Sequence, residues 1–402
     1  MIYDPSLSSR LATRMVAGAP AAIVALGLLT LTSCGGGDGD SSSSTPRVES
    51  ILYSFKGGTA DGSASQADLI QASDGDFYGT TLAGGTYGLG TVFRVTPAGV
   101  ETALWSFGSA GDGASPQAAL IQASDGNFYG TTTGGGTNRA GTAFRLTPAG
   151  VETVLWSFGG AHGEGANPVS GLIQASDGSF YGTTMNGGAQ GSGTVFRLTP
   201  AGSEAVLWSF GGTGDGAYPQ AGLMQASDGN FYGTTKGALD NGAVYRLTPA
   251  GVETVLWTFG GTGDGFWPFA GLIQASDGNF YGTTEMGGAN NAGTVFKVTP
   301  AGVETVLWSF GGGNDGVNPW AKLIQASDGN FYGTTEEGGV NNTGTIFKLT
   351  PSGVETVLHS FGSNDTSDGV QPFAGLIQAS DGTFYGTTIG AGANFAGTVF
   401  KY

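Results

Sequence analysis

The motif LIQASDGNFYGTT recurs seven times with small changes, and this repetition constrains the fold more than any other feature of the chain. Each copy is followed by a segment close to GTVFRLTPAG and then by one close to VETVLWSFGG. The FYGTT parts begin 49 to 53 residues apart, at Phe77, Phe128, Phe180, Phe231, Phe280, Phe331 and Phe384. A repeat of this period indicates one structural unit that needs its neighbours to bury its apolar side chains.

Each repeat predicts four antiparallel strands, which we name A to D in chain order. The Asp-Gly pair between two runs of β-branched and aromatic residues predicts a hairpin between strands A and B. The Thr-Pro-x-Gly segment predicts a turn between strands C and D, with proline at its second position and glycine in a left-handed conformation. Glycine contributes 77 of 402 residues and would destabilise any helix interior. The sequence therefore predicts an all-β protein.

The two ends of the repeat region distinguish a closed ring from an open stack. The region starts with a lone D strand at residues 48–55 and ends with a lone C strand at residues 397–402. Seven units are complete only if these two strands pair, whereas an open solenoid would leave two exposed strand edges. We therefore predict a seven-bladed β-propeller with four antiparallel strands per blade, closed by pairing of the N-terminal strand D with the C-terminal strand C.

Charged residues on strands C and D suggest the same closure. Each C strand carries one cation and each D strand begins with one glutamate, as in Arg94 and Glu101. The last cation, Lys401, finds its counterpart only in Glu49 near the other end of the chain. These pairs lie directly opposite if the turn is a simple two-residue turn, and a glycine bulge would shift them by one place.

Residues 1–33 predict an export signal. Arg10 and Arg14 precede an apolar stretch over residues 15–31, and the sequence Leu-Thr-Ser-Cys then ends at Cys34. This arrangement resembles the signal of bacterial lipoproteins, in which the cysteine is lipidated and becomes the new N-terminus. An ordinary secretory peptide followed by an incidental cysteine is the alternative.

The remaining chain is predicted to contain a tether and one domain. Residues 34–47 hold the lipidated cysteine and a flexible Gly/Ser/Asp tether, and residues 48–402 form the propeller. Because Gly35 rather than aspartate follows the cysteine, the lipoprotein resemblance implies an outer-membrane or cell-surface location. The single cysteine excludes a disulfide within the chain. We expect a monomer that contacts the membrane through its lipid anchor.

The net charge of −17 excludes one class of partner. A domain this acidic repels nucleic acid, so none is expected as a ligand. In a four-stranded blade the A–B and C–D turns lie on one face of the ring and the more variable B–C and D–A loops on the other. Binding residues concentrate on loops that a rigid scaffold holds, so any localised function is predicted on the variable face.

An acidic residue recurs in every D–A loop, and seven such carboxylates around the channel mouth would suit calcium or a cationic ligand. Calcium requires six to eight converging oxygens, whereas each loop offers one acid beside glycine. The alternative is that each acid caps its own Asp-Gly turn, in which case no cofactor is expected. These acids are Asp61, Asp112, Glu164, Asp215, Asp264, Asp315 and Asp368.

Aromatic residues gather in consecutive D–A loops, which the repeat does not require. Phe269, Trp320 and Phe373 follow the loop proline, and Trp267 and Tyr218 lie in the same class of loop. Aromatic platforms suit sugars or partner polypeptides. The alternative is that these rings plug the channel mouth or pack on strand A.

The chain contains two histidines. His359 takes the place of the tryptophan that five D strands carry and is predicted to pack in the core. His162 lies alone in a D–A loop near Glu164, without a second ligand or a nucleophile at a recognisable spacing. We therefore predict no catalytic residue.

The three recurring segments together resemble the GloVer tandem-repeat family, bacterial surface proteins that carry one of several alternative anchors. That resemblance implies export and surface attachment, and no established activity comes with it. The hairpins with Asp-Gly and Thr-Pro-x-Gly are also similar to those of streptogramin-lyase-like propellers, enzymes that use histidine and a metal, which is a likeness of fold. We predict a lipid-anchored, surface or periplasm-facing binding module for a glycan or protein. A lyase- or glycosidase-type enzyme and a purely structural surface protein are the alternatives.

Overall fold

The computed structural model describes residues 48–160, 163–237, 241–362 and 368–402. The predicted signal, Cys34 and the tether lie outside these residues. Seven four-stranded antiparallel sheets, each with the strand order A-B-C-D, form the seven predicted blades. The described ranges contain strands and turns, and none of their residues belongs to a helix that is long and apolar enough to span a membrane.

The strands keep the same bounds relative to the repeat in every blade. The A strands are Ile70–Gln71, Ile121–Gln122, Ile173–Gln174, Met224–Gln225, Ile273–Gln274, Ile324–Gln325 and Ile377–Gln378. The B strands are Phe77–Thr81, Phe128–Thr132, Phe180–Thr184, Phe231–Thr235, Phe280–Thr284, Phe331–Thr335 and Phe384–Thr388. The C strands are Thr91–Val95, Thr142–Leu146, Thr194–Leu198, Ala243–Leu247, Thr294–Val298, Thr345–Leu349 and Thr398–Lys401. The D strands are Glu101–Ser106, Glu152–Ser157, Glu204–Ser209, Glu253–Thr258, Glu304–Ser309, Glu355–Ser360 and, for the seventh blade, Ser50–Ser54.

Short two-stranded ribbons join each D–A loop to the B–C loop of the blade that follows, which confirms that these loops share one face. The pairs are Gly62–Ser63 with Ala83–Gly84, Gly113–Ala114 with Gly134–Gly135, Gly165–Ala166 with Asn186–Gly187, Gly265–Phe266 with Met286–Gly287, Gly316–Val317 with Glu337–Gly338, and Gly369–Val370 with Gly390–Ala391. In the fourth blade a single bridge between Ala217 and Gly237 takes the place of the ribbon.

The FYG part of the motif builds the contact between blades. The Tyr78 ring stacks on Phe128 of the next blade with 4.2 Å between centroids, and its hydroxyl donates to Asp74 at 2.7 Å. The third residue of the motif, Gly79, has no room for a side chain, because a Cβ atom there would lie 2.6 Å from the ring of Phe93. Phe77 packs in the opposite direction, so each motif copy contacts both neighbours. The core is thus divided among seven interfaces, as the repeat predicted.

The ring closes through the two ends of the described chain. Ser50 pairs with Lys401 and Ser54 with Thr398, so the first strand completes the last blade. Gln71 then makes the same contact across the closure as its equivalents make elsewhere, since its Oε1 accepts the N–H of Ser380 at 2.9 Å. The predicted closure by strand exchange is confirmed.

A glycine bulge in the C–D turn decides where the strand D glutamate lies. In the first blade Gly99 has a φ of 82° and donates its N–H to the Thr96 oxygen, and Glu101 lies opposite Val95. Arg94 instead contacts Asp76, with 3.0 Å between Nε and Oδ2. The shifted register is therefore the one that forms, and the predicted pairing of cation with glutamate is wrong. Neighbouring side chains of a strand lie on opposite faces, so one residue of slip separates the two charges.

Candidate functional site

The structure brings three of the predicted aromatic residues together at the starts of adjacent A strands. Phe269, Trp320 and Phe373 occupy the same position in the fifth, sixth and seventh blades, just before strand A. The rings of Phe269 and Trp320 stack with centroids 4.2 Å apart, and those of Trp320 and Phe373 are 5.6 Å apart. All three side chains are half-buried. They form one continuous row across three blades.

Trp267 is connected to this row by the side chain of Lys236. The ammonium of Lys236 lies 5.0 Å from the centroid of the Trp267 ring and 4.5 Å from that of Phe269. Phe266 meets Trp267 edge to face at 5.7 Å. The five rings of Phe266, Trp267, Phe269, Trp320 and Phe373 are called the aromatic patch below. Sequence reasoning missed Lys236, although it alone places a cation directly after an FYGTT motif.

Trp267 and Tyr218 share an unusual backbone conformation. The residue before the loop proline, or before Ser65 in the first loop, has a positive φ in all seven loops, namely at Ala64, Ser115, Asn167, Tyr218, Trp267, Asn318 and Gln371. Bulky residues rarely adopt this region, so the turn is held by its surroundings. Tyr218 is 44% exposed and lies apart from the ring contacts described here. It is therefore a peripheral member of the predicted site.

The acids of the D–A loops cap their own turns. Asp112 accepts the N–H of Gly113 at 2.6 Å through Oδ1 and the indole N–H of Trp105 at 3.2 Å through Oδ2. Glu164, being longer, accepts the N–H of Gly160 instead. Each acid is thus held at the turn that follows its own D strand, and these hydrogen bonds are those expected of the turn-capping alternative. The acidic ring at the channel mouth stays a prediction.

A groove at the rim of the ring brings each of these acids next to a second carboxylate. Each rim groove is bounded by the aromatic residue of one D strand, the acid of the loop that follows, and the first glutamate of the next D strand. Between the third and fourth blades this groove has a volume of about 380 Å³, and Trp208, Asp215 and Glu253 line it together with Gln190 and Thr213.

Burial changes the acidity of the groove glutamates. Desolvation raises the pKa of Glu253 from 4.5 to about 7, and the nearby charge of Asp215 adds to the effect. Its Oε1 is enclosed and lacks a hydrogen-bond partner among the described residues. The same rise to about 7 and the same enclosed oxygen occur at Glu101, Glu152, Glu204, Glu304 and Glu355. Such a group can hold a proton near neutral pH or accept a cation.

Sequence reasoning assigned these glutamates to ion pairs, and only the bulge places them in the grooves. The glycine of the Thr-Pro-x-Gly turn was the sequence signal for this shift, because it is compatible with a bulge that moves the glutamate by one place. Glycosidases act through a pair of carboxylates that flank the bond they break. The carboxylate pairs of the rim grooves recur from groove to groove, so they belong to the general contact between blades.

The groove at the ring closure departs from the others. His359 replaces tryptophan there, and its Nε2 lies 3.3 Å from Oδ2 and 3.4 Å from Oδ1 of Asp368. Glu49 is the groove glutamate at this junction. The His359 ring also packs edge-on against Phe361, with 4.8 Å between centroids. The prediction of a packing residue is therefore incomplete, since the imidazole also faces two carboxylates.

These features define the chain as a seven-bladed β-propeller with repeated rim grooves and one aromatic patch. A family described as the Gloeobacter/Verrucomicrobia repeat matches residues 28–241 and 224–402. The chain belongs to this repeat family, and the resemblance inferred from the motifs is confirmed. A search of curated protein sequences gives no match.

Solved structures with similar folds come from several functional classes. A streptogramin B lyase superposes with a TM-score of 0.58 at 15% identity, over 84% of this chain and 93% of the lyase. The BP39L lectin from Burkholderia pseudomallei gives 0.55 at 13%, over 84% of this chain and 98% of the lectin. PorZ, a surface component of the type-IX secretion system of Porphyromonas gingivalis, gives 0.53 at 13%, over 82% of this chain and 45% of PorZ. At these identities the likeness shows the propeller fold alone.

Proposed function

We propose that this protein is an exported binding module that holds a polypeptide ligand on the aromatic patch. The observation that carries the proposal is the continuous row of Phe269, Trp320 and Phe373 across three blades. Other blades place Gln66, Gln117, Val169 and Gln220 at this position, so the fold does not require aromatic residues there. Large rings at the centre of an interface contribute much of its binding energy.

The packing within the patch favours a polypeptide over a glycan. Sugars bind aromatic residues by stacking on an open ring face, whereas the Phe269 ring lies against both Trp320 and Lys236. Apolar side chains of a polypeptide can contact ring edges as well as faces. The B–C loops on the same face of the ring add Val340 and Phe395, which are 70% and 71% exposed. These two side chains add to the exposed apolar surface on the face that carries the patch.

We further propose that Cys34 anchors the protein in the outer membrane or at the cell surface. The apolar stretch before this cysteine and its place as the sole cysteine support the proposal, and a propeller of similar fold is a bacterial surface component. Cys34→Ala should move the expressed chain from the membrane fraction to the soluble fraction. Retention of Cys34→Ala in the membrane fraction would contradict lipid anchoring.

A triple variant tests the binding role. Phe269, Trp320 and Phe373 are replaced together by alanine, and Gln66, Gln117 and Gln220 are replaced together as the matched control at the same positions of other blades. Both variants and the wild type are applied to a displayed peptide library and to a glycan array. We expect the aromatic variant to lose at least about tenfold in peptide binding, because interface rings of this kind each contribute about 1–2 kcal/mol or more. The control should bind like the wild type.

Three results would overturn this assignment. Equal peptide binding by the aromatic variant would show that the patch is not the site. Retention of the wild type on the glycan array alone would identify a sugar ligand. A loss of several degrees in the melting temperature of the aromatic variant, without such a loss in the control, would identify the rings as structural.

A further inference from the structure

Within the described part of the chain, the rim groove at the ring closure is the one in which a metal-ligating nitrogen faces two carboxylates. In five grooves the D strand carries a tryptophan, and in one it carries Tyr53, whose hydroxyl donates to Asp61 at 2.8 Å. An indole N–H is a donor without a lone pair for a metal. His359 instead offers a neutral imidazole nitrogen, the commonest metal ligand in proteins. One replacement thus changes the chemistry of a repeated site.

Three possible metal ligands lie close together in this groove. One ligand atom each from Glu49, His359 and Asp368 lie within 4.8 Å of one another. Nε2 of His359 is 3.3 Å from Oδ2 of Asp368. Two ligands of a tetrahedral zinc ion, each about 2.0–2.2 Å from the metal, lie about 3.3–3.6 Å apart, so these two atoms are spaced like neighbouring zinc ligands.

Burial and orientation support the same reading. Glu49 is 9% exposed, and its Oε1 is enclosed without a hydrogen-bond partner among the described residues. The Asp368 carboxylate is held in place by the N–H groups of Gly369 at 2.8 Å and Gly362 at 3.0 Å. A ligand whose orientation is fixed by other hydrogen bonds binds metal more tightly. Once both carboxylates are ionised, they supply a charge of −2 that a divalent cation neutralises, so metal binding displaces the proton that burial favours on Glu49.

We infer that Glu49, His359 and Asp368 bind one zinc ion in the rim groove at the ring closure, with water in the fourth position. The nitrogen ligand and the small number of protein ligands favour zinc over calcium or magnesium, which prefer six or more oxygens. Glu49 comes from the start of the ring and the other two ligands from the sixth blade. The ion therefore ties the strand that closes the ring to the neighbouring blade.

Zinc binding by the mature protein and by His359→Trp tests this inference. The tryptophan restores the residue that five other D strands carry, so the variant is expected to fold like the wild type. After dialysis against EDTA, zinc is titrated by calorimetry and the bound metal is counted by mass spectrometry. We expect one zinc ion per wild-type chain, and at least about a hundredfold weaker binding by His359→Trp and by Glu49→Gln.

Two further measurements examine the role of the ion. Zinc should raise the melting temperature of the wild type by roughly 3–8 °C and leave that of His359→Trp unchanged, because an ion that binds only the folded state stabilises it. Amide exchange in Ser50–Ser54 should slow at least about tenfold with zinc. Trp308→His should create a second site in the adjacent groove, where Asp315 and Glu355 stand in the same places.

Several outcomes would overturn the inference. A wild type without stoichiometric zinc at micromolar concentration would show that His359 and Asp368 form only a hydrogen bond. Stoichiometric binding by His359→Trp would place the metal elsewhere, for example at His162, and His162→Ala would then identify it. Zinc binding without a change in melting temperature or in amide exchange would show that the ion does not stabilise the closure of the ring.

Discussion

The rim grooves and the aromatic patch are supported by the same D–A loops, yet they relate to the repeat in opposite ways. The grooves repeat from blade to blade, and their tryptophan, acid and glutamate serve the contact between neighbours. The patch exists in three consecutive blades, where Phe269, Trp320 and Phe373 replace small or polar residues. In a repeat protein the shared positions therefore build the scaffold, and the departures are where a specific ligand is expected. His359 has both properties, since it occupies a scaffold position but differs from the tryptophan that five other D strands carry there.

The largest expected effect sharpens this comparison by contrasting two tyrosines. Tyr129 is 1% exposed, stacks on Phe180 with 4.1 Å between centroids and donates to Asp125 at 2.8 Å. Tyr129→Ala should lower the free energy of unfolding by about 3–5 kcal/mol, as for other large-to-small core changes. Tyr218→Ala, at a 44% exposed position, should change it by less than about 1 kcal/mol. Denaturant unfolding measures both free energies. Equal losses of stability would show that repeated positions and variable positions do not differ in structural importance.

The next effect concerns the pH dependence of stability. The groove glutamates have a pKa raised from 4.5 to about 7, as at Glu253 and Glu304, so the folded state binds more protons than the unfolded state between these values. Stability is therefore highest below about pH 4.5 as far as these groups are concerned, and it falls as the pH rises towards 7. With six such groups, discounted for solvent screening, we expect a melting temperature roughly 5–10 °C lower at pH 8 than at pH 5.

A matched variant separates the glutamates from other titrating groups. Glu253→Gln should raise the melting temperature at pH 8 and leave it nearly unchanged at pH 5, because the wild-type side chain is already neutral there. The acids of the A–B turns, such as Asp228, have a lowered pKa through hydrogen bonds from Asn230 and Tyr232 and affect stability only in more acidic solution. A melting temperature that rises between pH 5 and pH 8 would contradict the protonated grooves.

The smallest effect tests the corrected register of strands C and D. A double-mutant cycle between Arg94 and Asp76, whose charged atoms lie 3.0 Å apart, should give a coupling energy of about 0.2–1 kcal/mol. The cycle between Arg94 and Glu101 should give a value near zero, because these side chains lie on opposite faces of the sheet. Urea unfolding of the single and double variants measures both cycles. A larger coupling for the second pair would restore the unbulged register.

Much of the fold could be predicted because the repeat carries local signals seven times. The Asp-Gly and Thr-Pro-x-Gly turns identified the hairpins, and the unpaired strands at the two ends identified the closure between Ser50 and Lys401. The aromatic row could also be foreseen, since equivalent positions of adjacent blades must be neighbours in a ring. For the acids of the D–A loops the sequence left two interpretations open, a ring at the channel mouth and caps of their own turns, and the hydrogen bonds fit the second. Their capping hydrogen bonds depend on the conformation of loops that vary in length.

By itself the sequence determined the number of blades, their strand order and the way in which the ring closes, because turn chemistry and repeat spacing are local properties. Only the tertiary structure decided which side of each blade the strand D glutamate faces, because one bulged residue reverses the side and both turn geometries were compatible with the sequence. The structure also decided that Glu49 lies beside His359 and Asp368. Glu49 is far from the other two residues in the chain, and it becomes their neighbour because the first strand pairs with the last strand to complete the seventh blade.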